Sequence, residues 1–162
     1  MAKAYPNSKI TGFDYHRPSI ERARKDAEKE GLKNITFEVA GSPDYPGDDY
    51  DLVAFFDCFH DMGNPSAAAK HVLQTLNNKD GTWMLVEPFA NDKLEDNLNP
   101  IGRQNYAAST VICVPASLNE NGSALGAQAG EKRIREMVTS AGFSRFRLAT
   151  QTPFNMIFEA RP

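Results

Sequence analysis

Short apolar runs alternate with stretches of helical period along this chain. Leu52-Val-Ala-Phe-Phe56 is apolar without alternation and lies between Asp51 and the cluster Asp57-Cys58-Phe59-His60-Asp61. Such a run predicts a strand covered on both faces, as in a parallel sheet. The same reading places strands at 9–13, ending at Asp14, at 35–39, and at 82–86, ending at Glu87-Pro88. Between the first two, Ile20, Ala23, Ala27 and Leu32 form an apolar stripe. Pro18 suits the first turn of that helix and Gly31 its stop. Asn64-Pro65 reads as a cap and first-turn proline, opening a helix to about Leu76. Ile134, Met137, Val138 and Ala141 mark one face of a further helix, which Gly142 ends. Residues 143–149 and 154–160 predict a closing hairpin, joined near Thr152-Pro153. Residues 90–130, rich in Asn, Gly, Ala and Ser, break the pattern. They predict an irregular insertion containing a helix at 96–109. The resulting order is α/β, with a mostly parallel sheet and an antiparallel C-terminal hairpin.

Composition narrows the classes. The chain has 162 residues, of which 41% are hydrophobic, so one domain with its own core is expected. A net charge of −3 supplies no electrostatic footprint for nucleic acid. No apolar run approaches a membrane span, and the first residues lack the apolar centre of a signal peptide. Cys58 and Cys113 are far apart without metal-type spacing, which predicts two reduced thiols in a cytoplasmic protein and no metal site.

Four landmarks, in order, carry a likeness: Gly12-Phe13-Asp14, Ala40-Gly41-Ser42, the run 51–62, and Gly81-Thr-Trp-Met-Leu-Val-Glu-Pro88. With the Ala141-Gly142-Phe143 ending they resemble the class I S-adenosylmethionine-dependent methyltransferases, over nearly the whole chain. The resemblance implies a Rossmann-like sheet, S-adenosylmethionine as cofactor, and methyl transfer to a small hydroxyl- or amine-bearing acceptor. In that family a first strand and a glycine-rich loop precede the residue matching Asp14 by about twenty positions. Here Gly12 is the only glycine before Asp14. The expectation is therefore a single domain over 1–162 lacking its first strand. It would be the C-terminal portion of a longer enzyme, weak or inactive alone, with pairing to a second copy as one compensation. A non-catalytic module of the same fold, serving as a dimerisation or regulatory surface, is the alternative.

The resemblance also implies roles. Asp14, with Tyr15 beside it, would hold the ribose, since a carboxylate accepts from both hydroxyls of a diol. A turn or cap aspartate is the competing role, and a dinucleotide would be gripped equally well. Gly41 and Ser42 would contact the adenine, although many family members carry an acid at that loop. Asp57 would accept the methionine ammonium group, or else cap the following helix. His60, in His60-Asp61-Met62, resembles the general-base histidine of phenolic O-methyltransferases, with Met where they have Trp. An imidazole can take a hydroxyl proton near neutral pH. Asp61 would orient its ring, and Glu87 would face the acceptor pocket or pair structurally.

Overall fold

The computed structural model describes all residues, Met1–Pro162. They fall into two compact units, Met1–Pro46 and Gly47–Pro162.

The first unit is a β-α-β turn of chain. Strand β1 (Ile10–Asp14) leads through helix α1 (Arg17–Lys29) to strand β2 (Ile35–Val39), and the strands pair in parallel from Ile10↔Ile35 to Asp14↔Val39. Pro18 lies in the first turn of α1, as its fixed φ favours. Gly31, at φ +66°, turns the chain out of the helix where a side chain would be strained. Phe37 lies against Gly12, where a Cβ would come within 2.6 Å of the ring. The Arg24 guanidinium donates twice to the Phe37 carbonyl, tying α1 to β2. Asn34 Nδ2 donates to the carbonyls of Ala2, Tyr5 and Ser8 and so fastens the N-terminal segment.

The second unit holds a four-stranded sheet in the order β3-β4-β6-β5. Strand β3 (Leu52–Phe56) runs parallel to β4 (Thr82–Pro88), which pairs antiparallel with β6 (Asn155–Arg161). Strand β5 (Arg145–Gln151) completes the hairpin with β6. The hairpin turn is held by Thr152 Oγ1, which accepts the amides of Phe154 and Asn155. Helix α2 (Pro65–Thr75) starts as its sequence predicts: Asn64 Oδ1 accepts the Ala67 amide at 2.9 Å.

The core lies between the sheet and helices α2 and α5 (Gly130–Ser140). Trp83 is fully buried at its centre, edge-on to Phe55 and Phe59 and tilted against Phe143, with ring centroids 5.2–5.4 Å apart. Strand β4 alternates strictly, so Trp83, Leu85 and Glu87 all face inward. That period-2 pattern sets a carboxylate on the core face of the sheet.

Residues 90–130 differ from their expected irregularity. A 3-10 turn (Leu94–Asn97) leads to helix α3 (Pro100–Ala108), a π-helical segment (Ser109–Cys113) and helix α4 (Val114–Asn119). Asn99-Pro100 repeats the cap-and-proline start of α2, with Asn99 Oδ1 accepting the Gly102 amide. The apolar patch 110–114 is therefore helical. Pro115 explains the wider turn before it, because its nitrogen cannot donate and its ring would clash with the carbonyl four residues back. Within the insertion, irregular backbone is confined to 90–93, 98–99 and 120–129. No helix of the structure is long and apolar enough to cross a membrane.

Candidate active site

In the first unit, parallel pairing brings two predicted segments side by side. The Ala40 amide donates to the Asp14 carbonyl, so Gly41 and Ser42 follow directly beside the end of β1. Asp14, Tyr15, Gly41 and Ser42 thus share the C-terminal end of two parallel strands. One Asp14 carboxylate oxygen accepts the His16 amide at 2.7 Å. This is the turn role anticipated as the competitor, and it leaves the second oxygen for a ligand. The cap residue of α1 is His16, whose ring bonds Ser19 Oγ. Tyr15 is exposed. At Gly41 a Cβ would come 2.9 Å from Asp44 Oδ1, so the loop closes tightly over a residue without a side chain.

In the second unit, Asp57 receives the last rung of the β3–β4 ladder, its amide donating to the Val86 carbonyl. Its φ of +48° is unusual for a residue with a side chain and turns the chain sharply off the sheet. The Asp57 carboxylate accepts from Asn155 Nδ2 at 2.8 Å. It does not cap the following 3-10 turn (Phe59–Asp61), whose cap residue is Cys58.

That turn delivers His60 onto Glu87. Glu87 Oε1 accepts the Phe59 amide at 3.0 Å, and Oε2 meets His60 Nδ1 at 2.7 Å. Both side chains are buried, Glu87 to 1% exposure and His60 to 4%. The ring is therefore oriented by Glu87, not by Asp61 as expected. Asp61, one residue away along the turn, makes no hydrogen bond to the ring, whereas Glu87 arrives from the neighbouring strand. Fixing Nδ1 in this way leaves Nε2 as the ring nitrogen without a protein hydrogen bond.

Burial alone would lower the His60 pKa; the hydrogen bond and charge of Glu87, with Asp61 and Asp57, outweigh it and hold the imidazole above its ordinary value. Burial raises Glu87, against the pull of His60 and the Phe59 amide. Burial also raises Asp61. Burial and the charge of Glu87 push the Cys58 thiol up to about 12, so it is no nucleophile.

The 90–130 segment packs over this turn. Gly126 donates to the His60 carbonyl, Ser117 Oγ to the Met62 carbonyl, and the Gly63 amide to Glu120 Oε2. Cys113, at the end of the π-helical segment, comes to the same place. Ligand atoms of His60, Asp61 and Cys113 all lie within 4.8 Å of one another. The sequence reading missed Cys113, which stands more than fifty positions from His60.

A family model described as a methyltransferase domain matches residues 1–142. Among solved structures, the chain is similar to a protein described as an O-methyltransferase from Nostoc punctiforme. Identity is 21% and the TM-score 0.72, with 98% of this chain and 46% of that one covered. An O-methyltransferase family protein from Burkholderia thailandensis matches at 16% identity and TM-score 0.72, over 99% of this chain and 46% of that. Human N-acetylserotonin methyltransferase, solved with SAM, matches at 22% identity and TM-score 0.67, over 99% and 42%. The chain spans less than half the length of each. At such identities the likeness shows the fold, which is the α/β Rossmann-like one with a C-terminal antiparallel hairpin. No relative among curated proteins matches the sequence.

Proposed function

The chain belongs to the methyltransferase domain family, and from that premise we propose that it serves S-adenosylmethionine-dependent methyl transfer to a small hydroxyl or amine acceptor, with His60 as general base. One observation carries the reading. A buried carboxylate, Glu87, fixes Nδ1 of a buried histidine and leaves Nε2 free, at the C-terminal end of paired parallel strands. In open α/β sheets that end is where ligands bind.

The residues present suit the cofactor's nucleoside end. Asp14 keeps one carboxylate oxygen for a ribose hydroxyl, and the Gly41 loop lies beside it at the end of the paired strands. Tyr15 and Ser42 flank that end. When bound, the sulfonium supplies a methyl group already activated for transfer. The chain's own part is to orient the acceptor and remove its proton. The acceptor O–H or N–H donates to His60 Nε2, and Glu87 stabilises the imidazolium that forms. The packed segment over the 3-10 turn excludes water, which strengthens that charge interaction.

The test is transfer of labelled methyl from S-adenosylmethionine to a panel of phenols, alcohols and amines, by wild type, His60→Gln and Asp14→Asn. The expected result is a fall of about 10²–10⁴ in kcat for His60→Gln with cofactor affinity retained. Asp14→Asn should weaken cofactor binding instead. Transfer indifferent to His60 removes it as base. Cofactor binding without transfer to any acceptor favours the alternative, a regulatory or dimerisation module of the same fold.

A further inference from the structure

The same turn gathers a second kind of chemistry. His60, Asp61 and Cys113 offer one nitrogen, one oxygen and one sulfur, all within 4.8 Å of one another, with His60 and Cys113 buried and Asp61 half-buried. A four-coordinate zinc ion, with bonds of ~2.0–2.3 Å, sets neighbouring donors ~3.3–3.8 Å apart. The cluster is thus within about an ångström of closing on an ion. Two further features point to a cation. The His60 ring is held by a carboxylate on its other nitrogen, the arrangement that orients metal-ligating histidines. And the surroundings carry excess negative charge: Asp57, Asp61, Glu87 and Glu120 lie around the turn, and none of them forms an ion pair with a lysine or arginine.

We infer that His60 Nε2, an Asp61 carboxylate oxygen and Cys113 Sγ form a binding site for a thiophilic divalent cation of the zinc type, with a fourth position open. The donor set selects the ion: a thiolate with an imidazole and a single carboxylate suits zinc or cobalt(II), not magnesium or calcium. Binding releases to solvent the Cys113 thiol proton and, wherever His60 is imidazolium, its Nε2 proton, and the thiolate and carboxylate together balance the two positive charges. No electron moves. One consequence rests on the proposed function above. The ion and the acceptor's proton compete for the same nitrogen, so the metal-bound form cannot use His60 as base.

The test needs no methyl transfer. Cobalt(II) is titrated into the 162-residue chain under reducing conditions, and absorption is recorded for wild type, Cys113→Ser, His60→Gln, Glu87→Gln and Cys58→Ser, each checked for folding by circular dichroism. Wild type is expected to bind one ion with a thiolate-to-cobalt charge-transfer band. Cys113→Ser should lose that band, His60→Gln should lose high-affinity binding, and Cys58→Ser should retain both. Glu87→Gln should weaken affinity about 10–100-fold through loss of the ring's support. Absence of a thiolate band in wild type overturns the site. So does a band that survives Cys113→Ser or disappears with Cys58→Ser. Zinc should then inhibit any methyl transfer in proportion to occupancy. If transfer proves absent or independent of His60 while the cobalt band behaves as stated, the site stands and only the regulatory consequence falls.

Discussion

A buried histidine hydrogen-bonded to a buried glutamate sets the properties of this site residue by residue. The unfolded imidazole titrates near ~6.5, and in the fold Glu87 holds it higher. A raised value means the folded state binds the proton more tightly than the unfolded one. The pair's stabilisation is therefore complete below about pH 6.5 and is lost as pH rises through the folded value. Glu87, also raised, acts in the same direction. Denaturant unfolding from about pH 5.5 to 9 should show wild type losing stability relative to His60→Gln over that rise; parallel profiles would sink the assignment. Removing the acid is more severe. Glu87→Ala leaves the Phe59 amide and the imidazole buried without their acceptor, and should cost about 3–5 kcal/mol in urea unfolding, while Glu87→Gln, which keeps an acceptor, costs less. The histidine was legible from its resemblance to a known motif. Its partner was not, because Glu87 reaches His60 through the pairing of β3 with β4, a relation that residue spacing along the chain does not encode.

Elements in this chain begin and end where local chemistry tells them to, which is why most were legible. Asn-Pro opens two helices, α2 and α3, by the same cap; the first was read with its cap, the second as a helix over 96–109 without it. What was not read is the helical continuation through 109–119, whose apolar residues do not recur at a regular period: Val111 and Ile112 face solvent while Ser109 and Cys113 are buried. The π-helical turn before Pro115 rotates the register, and a 3.6-residue template fails across it. Two substitutions measure how much each start depends on local contacts. Asn64→Ala removes the acceptor for the Ala67 amide and should cost about 1 kcal/mol. Gly102→Ala should cost about 1–3 kcal/mol, because its Cβ would sit 1.9 Å from the Asn97 carbonyl oxygen, a backbone atom with little freedom to yield. Asn97 itself is buried and bonds the Asn91 amide and the carbonyls of Asn91 and Lys93, so the turn it braces resists adjustment. Urea midpoints at constant slope check both values, and a neutral Gly102→Ala would show that this loop is softer than its hydrogen bonds indicate.

At the scale of the molecule, the two units differ in how much apolar surface they bury. Gly47–Pro162 contains the aromatic and aliphatic cluster around Trp83, drawn from β3, β4, β6, α2 and α5. Met1–Pro46 has Ala2, Ile20 and Tyr45 as its only buried hydrophobic residues. The expectation of one domain over all 162 residues rested on length and hydrophobic content. Local pattern reports which face of an element is apolar and is silent on how many partners that face finds. Chains of roughly 40–60 residues bury too small a fraction of their surface for much independent stability. The first unit should therefore open at lower free energy than the second. Native-state hydrogen exchange followed by mass spectrometry reads this directly. Amides of β1 and β2 should exchange through openings well below the global unfolding free energy, while those of β4 and β6 exchange only near it. A ligand that grips Asp14 and the Gly41 loop should slow the first group selectively, since binding stabilises whatever must be closed to form the site. Equal protection in both units, before any ligand is added, would mean that the small core of Met1–Pro46 opens only together with the whole chain.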